Sequence, residues 1–323
     1  YNTCESRRRR AGGDGCPAGA KNGRGTSMKH EIPQTEIEPE DLRKIQLKSL
    51  ELLLYFKQIC DKNGLLFYFC GGCCIGALRN QGFIPWDDDI DVFMPRKDYE
   101  RLPQIWAEQA DNERYRYSRT TRDHYTRLLF STISDENTTF IKRRQYDVDT
   151  AHGIRLDILP IDGCPSGWKR KTQIMWALIY SMFNTKEPVT SKGRAAWLVS
   201  WLMLRLAFTD GLKYRVWKLA ERRMSWFDLE KSDKETELCA WYGYMRNESP
   251  AEAFRSAVYK PFEGHMLPLP AGYDDYLKIA FGDYMTPPPE HKRATGHDLV
   301  FYDLENSYKK YKGKYYCVQT EEK

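Results

Sequence analysis

Residues 64–98 read GLLFYFCGGCCIGALRNQGFIPWDDDIDVFMPRKD, and they constrain the fold more than any other stretch of the chain. Leu65 to Cys70 is a short apolar and aromatic run, which predicts a buried strand. Gly71-Gly72 ends it. Adjacent glycines reach backbone conformations closed to other residues and let the main chain approach a ligand closely. Cys74 to Asn80 is predicted to form one or two helical turns. A glycine turn leading into a helix N-terminus presents free N–H groups to an anion, most often a phosphate.

Pro85 argues against a central strand at that point. From Asp89 the pattern changes: Ile90, Val92 and Met94 are apolar, and Asp91 lies between them. In a strand, residues i and i+2 point to one face, so Asp89 and Asp91 are expected side by side. Two carboxylates held that close repel each other and raise a pKa. A divalent cation removes the repulsion, and oxygen ligands suit a hard ion such as Mg²⁺ (or Mn²⁺) that also binds substrate phosphates. An isolated Asp-x-Asp is more often a solvated loop. The apolar alternation and the glycine pair upstream favour a site here.

The pattern Gly71-Gly72, Gly76-Ala77, Arg79, then Gly82-Phe83-Ile84-Pro85-Trp86-Asp87-Asp88-Asp89-Ile90-Asp91 resembles the LicD family. Members of that family transfer phosphocholine or related phospho-groups and are related to the fukutin-type ribitol-phosphate transferases. They belong to the nucleotidyltransferase-fold superfamily. The family usually carries Thr-Leu after the second glycine, where this chain has Cys73-Cys74. A thiol matches a hydroxyl in size but is a weaker hydrogen-bond donor.

A second aspartate sits in a strand-like apolar run, Ile154-Arg155-Leu156-Asp157-Ile158-Leu159-Pro160-Ile161-Asp162-Gly163. A nucleotidyltransferase-type site needs a third carboxylate as metal ligand or base, and Asp157 is the candidate. It corresponds to the first aspartate of a similar family block. Asp162, beside Gly163 and Pro165, reads as a turn residue. Near the C-terminus, residues 267–288 (LPLPAGYDDYLKIAFGDYMTPP), with a short helix from Asp274 to Phe281 stopped by Gly282, also resemble a family block, so the likeness spans roughly residues 40–298. Arg127, Lys142, Arg143 and Arg144 are candidate phosphate contacts, each more simply read as a solvated charge.

A helix is expected from Pro39 to Asn63, and others over 96–109, 168–183, 195–208, 216–229 and 274–281; strands are expected at 115–118, 126–132 and 140–146. The apolar helix AAWLVSWLMLRLAF, residues 195–208, is too short to span a bilayer. It reads as a buried helix, with an interfacial helix as the alternative because Trp197, Trp201, Lys192, Arg194 and Arg205 crowd it. No run anywhere reaches the length needed for a span. Residues 1–27, rich in Gly, Arg and Ala, are expected to be a disordered leader, with Met28 as the natural start.

The domain plan is then a catalytic domain over 28–298, with a helical insertion at 168–230 and a loose polar tail at 299–323. The net charge of +5 owes much to Arg7 to Arg10, so no nucleic-acid-binding body is implied. Nine scattered cysteines with no framework spacing suit reduced thiols in the cytoplasm. Cys70-x-x-Cys73 has no second half at zinc-site spacing.

The resemblance implies an α/β (α+β) fold: a nucleotidyltransferase-like mixed sheet core with flanking helices and an accessory helical lobe. It implies a metal-dependent phosphotransferase that passes a phospho-alcohol from a CDP-activated donor to a glycan hydroxyl. Gly71 and Gly72 would hold the donor phosphate, Arg79 the leaving nucleotide, and Asp89, Asp91 and Asp157 the metal. The alternatives are transfer of NMP from an NTP, or a non-catalytic glycan- or membrane-binding protein. The expected location is the cytoplasm or the inner face of the plasma membrane, with a CDP-alcohol and a glycan or lipid-linked glycan as partners.

Overall fold

The computed structural model describes residues 35–185, 188, 193–207, 209–293 and 298–318. The expected leader, Met28, Lys192 and His297 lie outside the described residues. Helix α1 (Pro39–Asn63) forms over the predicted span. Pro39 sits in the first turn, Glu40 and Asp41 lie at its positive end, and Gly64 closes it with φ 60°. Its buried stripe includes Leu42, Ile45, Leu52, Leu53, Phe56 and Ile59.

Strand β1 (Tyr68–Phe69) is followed at once by helix α2 (Gly71–Arg79). The helix begins three residues before the expected start at Cys74, so the glycine pair is its first turn rather than a separate loop. Then come β2 (Ile90–Pro95), α3 (Arg96–Gln109), β3 (Tyr115–Ser118), β4 (Ser131–Asp135), β5 (Thr139–Lys142) and β6 (Arg155–Cys164). The strand expected from Thr126 starts only at Ser131, because Arg127 adopts φ 60° and breaks the extended run. Helices α4 (Gly167–Thr185), α5 (Arg194–Leu206) and α6 (Asp210–Met224) follow. The chain returns through β7 (Lys234–Glu237), β8 (Ser249–Pro250), β9 (Ala257–Phe262), β10 (His265–Pro270), α7 (Tyr273–Phe281) and β11 (Leu299–Asp303).

The main sheet is mixed, as expected. Its strand order is β1-β2-β6-β4-β3, with β7 also on β6 and β8 on β7. Strands β2 and β6 are parallel and set Asp91 against Asp157; the other pairs are antiparallel. In-register neighbours share a face. Asp91, Phe93, Asp157 and Leu159 therefore point one way, toward α7, whose Tyr276 ring lies 5.4 Å from that of Phe93. Ile90, Val92, Ile158 and Asp162 point the other way, toward α3.

Three expectations are corrected here. Asp162 is not a turn residue: it is fully buried in β6, and both its oxygens accept from Arg96 of α3, at 2.8 and 2.6 Å. Helix α5 is not buried. Helices α4 and α6 pack on each other, with Tyr180 stacked 5.2 Å from Trp217, and leave α5 outside. Trp197, Leu198, Val199, Trp201 and Leu202 are exposed, Leu206 to 65%, and Ser200 is the one buried residue of α5. Among the described residues no helix is long and apolar enough to cross a membrane.

The described part of the expected polar tail is also ordered. Strand β11 pairs with β5, Leu299 joins Ile37, Leu42, Ile45 and Ile154 in one apolar cluster, and Tyr308, Tyr311 and Tyr316 are buried in a second. Their rings supply the apolar surface and their hydroxyls find carboxylates: Tyr308 donates to Glu136 at 2.7 Å, and Tyr311 to Asp303.

Candidate active site

The turn before β2 is anchored from α1, where Gln46 Nε2 donates to the Asp87 carbonyl at 2.9 Å. This presents three consecutive carboxylates. One oxygen each from Asp87, Asp88 and Asp89 can be chosen so that all lie within 4.8 Å of one another, and Asp88 is buried. The Asp87 carboxylate lies against the first turn of α2: a Cβ on Gly72 would stand 2.3 Å from its Oδ2. The missing side chain at Gly72 is what lets the acidic turn close on a positive helix end. Gly71 adopts φ 48°, and its N–H donates to the Tyr276 hydroxyl at 3.1 Å.

Asp91 and Asp157 extend this cluster across β2 and β6. Burial, then Asp89 and Asp157, push the Asp91 carboxyl well above the usual carboxylate range. Its side chain has no hydrogen-bond or salt-bridge partner among the described residues. Asp157 is also raised by burial, but Arg155 opposes the shift: its Nε lies 2.7 Å from Oδ1. Lys142 Nζ stands 3.3 Å from Asp89 Oδ2. Burial disfavours the Lys142 ammonium, yet Asp89, with Asp88 and Asp157 behind it, holds its pKa above the usual lysine value. A small cavity opens between Asp88, Asp89, Lys142 and Arg155, backed by Ile45 and Phe140.

The site therefore gathers Gly71, Gly72, Asp89, Asp91 and Asp157, but the tightest carboxylate group is Asp87–Asp88–Asp89 rather than Asp89–Asp91–Asp157. Arg79 is elsewhere. It ends α2, about 12 Å along the axis from Gly71 at the helical rise, and its Nη1 donates to the Tyr284 carbonyl at 3.4 Å. Of the four candidate phosphate contacts, Lys142 reaches the cluster. Arg127 pairs with Asp147 at 2.7 Å, Arg144 covers the Trp241 ring, and the Arg143 N–H donates to the Asp298 carbonyl.

Arg155 was missed, although its i, i+2 spacing from Asp157 puts both on one strand face. Asp87 and Asp88 stood in the quoted motif, but no strand period singles them out. Cys70, Cys73 and Cys74 are buried at the start of α2, and burial raises all three thiols. The Cys73 thiol donates to the Asp89 carbonyl at 3.7 Å, so it braces the acidic turn from within.

A glycine-led helix thus meets paired aspartates on a mixed sheet. Residues 64–162 match the nucleotidyltransferase domain of the LicD/FKTN/FKRP family. The resemblance extends well beyond that domain. The chain is 29% identical over 276 residues to the lipopolysaccharide cholinephosphotransferase LicD of Haemophilus influenzae, covering 81% of this chain and 98% of that protein. An uncharacterized protein of Rickettsia prowazekii is 31% identical over 84 residues, 24% of this chain and 32% of that protein.

Proposed function

We propose that this protein is a metal-dependent phosphotransferase. It moves a phospho-alcohol, phosphocholine in the first instance, from a CDP-activated donor to a glycan hydroxyl of a lipopolysaccharide-type acceptor. The near full-length likeness to a named cholinephosphotransferase supports the reaction class. The observation that carries the chemistry is the set of carboxylates facing the first turn of α2, with Asp91 and Asp157 beside them.

The residues fit a hard cation. Asp91 is a half-buried carboxylate with two like charges as neighbours, a state that a divalent ion relieves. Asp88, Asp89 and Asp91 would hold Mg²⁺ or Mn²⁺, which when bound neutralises the donor's diphosphate oxygens. Lys142 fixes Asp89, and the N–H groups of the first α2 turn beyond Gly71, whose own N–H goes to Tyr276, face the donor phosphate. Asp157, held by Arg155, accepts the proton of the attacking hydroxyl. The acceptor oxygen then bonds to the phosphorus that carries the alcohol, the bond to CMP breaks, and CMP leaves with the electron pair.

An acceptor with a lipid anchor also gives the exposed apolar face of α5 a role, as a peripheral contact with the bilayer from the cytoplasmic side. The helix carries Arg194 and Arg205 and no acid.

The test is CMP release from CDP-choline, CDP-ribitol and CDP-glycerol, with Mg²⁺ and with EDTA, and with UTP and ATP as controls. Metal-dependent CMP from a CDP-alcohol is the expected result. Turnover of an NTP alone would replace this reading with nucleotide transfer.

A further inference from the structure

Beside the proposed phosphate turn lies a group of side chains that the mechanism above does not use. Phe281 of α7 lies against Gly71: a Cβ on that glycine would be 3.9 Å from Phe281 Cζ. The Phe281 ring meets Tyr276 at 6.3 Å and 85°, forming a corner, and Tyr244 closes a third side at 6.1 Å. Tyr276 is itself tied to the start of α2 through the Gly71 N–H. Tyr244 and Phe281 are only half-buried, whereas the Tyr276 ring is buried against Phe93 and Phe254.

Glu237 completes the group. It ends β7 opposite Ile161, on the same sheet face as Asp91 and Asp157. Its charge acts on the Tyr276 hydroxyl and the Cys70 thiol. No hydrogen bond or ion pair holds it among the described residues. A partly buried carboxylate without a partner is costly, and a cation arriving from the cleft would offset that cost.

We propose that Tyr244, Tyr276 and Phe281, with the carboxylate of Glu237, bind a quaternary ammonium group on the donor's alcohol. This rests on the phosphotransferase reading. A trimethylammonium group has no N–H to donate, so ring faces and a diffuse negative charge are what recognise it. Phe281 and Tyr276 both meet Gly71, so the rings adjoin the proposed phosphate turn. Ribitol and glycerol carry hydroxyls and no cation, and neither gains from this corner.

The experiment compares Phe281→Leu, Tyr244→Leu and Glu237→Gln with the unaltered protein, each checked for folding by circular dichroism. Two readouts are used: KM and kcat for CMP release from CDP-choline and CDP-glycerol, and binding of tetramethylammonium followed by NMR titration. We expect each variant to raise KM for CDP-choline about tenfold, the range of one cation–π contact. KM for CDP-glycerol should stay within about twofold, and tetramethylammonium binding should be lost. Unchanged KM for CDP-choline, or equal losses with both donors, overturns the cage and leaves the transferase standing. If the unaltered protein releases CMP from no CDP-alcohol, the transferase reading fails; the titration still decides the cage, since absent tetramethylammonium binding overturns it.

Discussion

Asp91 of β2 and Asp157 of β6 stand directly opposite each other on parallel neighbouring strands, pointing to the same side of the sheet. The two differ in company: Asp157 is held by Arg155, and Asp91 has no such partner. Asp91→Asn is expected to lower CMP release about 100-fold or more, as for loss of a group that acts on transition-state charge. Removing a half-buried carboxyl that repels its neighbours should leave Tm unchanged or raise it. Assays with thermal melts in parallel check both; a variant with near-normal turnover would exclude Asp91 from the site.

Gly72 is expected to tolerate no side chain. A Cβ there meets the Asp87 carboxylate at 2.3 Å and must push the acidic turn away from α2. Gly72→Ala should cost about 1–3 kcal/mol by overpacking and lower activity about tenfold or more, since small displacements of reacting groups are costly. Denaturant unfolding and CMP release measure the two effects.

Asp162 separates structure from chemistry. It is buried against Arg96 through two hydrogen bonds. Asp162→Ala leaves a buried guanidinium side without its partner and should destabilise the fold by about 3–5 kcal/mol. Its turnover per folded molecule should be close to normal, unlike that of the Asp91 variant. Urea titration with activity measured below the transition tests this.

His152 gives a pH dependence with a defined sign. Burial lowers its pKa from 6.5 to about 4, outweighing the hydrogen bond to the Val148 carbonyl. The unfolded chain therefore binds the proton more readily between about pH 4 and 6.5. The contribution of neutral His152 is present above pH 6.5 and is lost as the pH falls toward 4. His152→Phe should flatten the fall of Tm over that window; an unchanged Tm profile would contradict the assignment.

Helix α5 should bind vesicles. Trp201 and Leu202 are exposed, and Arg205 lies 4.8 Å over the Trp201 ring. Sedimentation with anionic vesicles should carry down the unaltered protein, and Trp201→Ser/Leu202→Ser should reduce the bound fraction several-fold with little change in Tm. If the same pair of changes instead breaks a dimer in solution, α5 is a contact between copies of this chain.

Much of this site was legible because local spacing encodes it. The period-two alternation around Asp91 and Asp157 gives their strands and their shared orientation, and glycines that admit close approach mark the first turn of α2. The helix α1 was equally readable, since its caps and apolar stripe lie within one segment. Readings that depended on a distant partner failed. Asp162 looked like a turn residue because Arg96 is 66 positions away. The tail after 299 looked loose because its tyrosines are polar by composition and apolar by surface.

The sequence alone determined the elements and the chemistry at hand: carboxylates at strand positions, glycines before a helix, a mixed α/β pattern. Periodicity and backbone preference are local quantities, so they survive in the one-dimensional record. Only the tertiary structure decided which charges meet. It set Lys142 on Asp89, sent Arg79 to the far end of α2, turned α5 outward, and brought the Tyr276 hydroxyl to the Gly71 N–H. Those outcomes follow from strand register and helix packing across long separations, where spacing along the chain carries no information about distance.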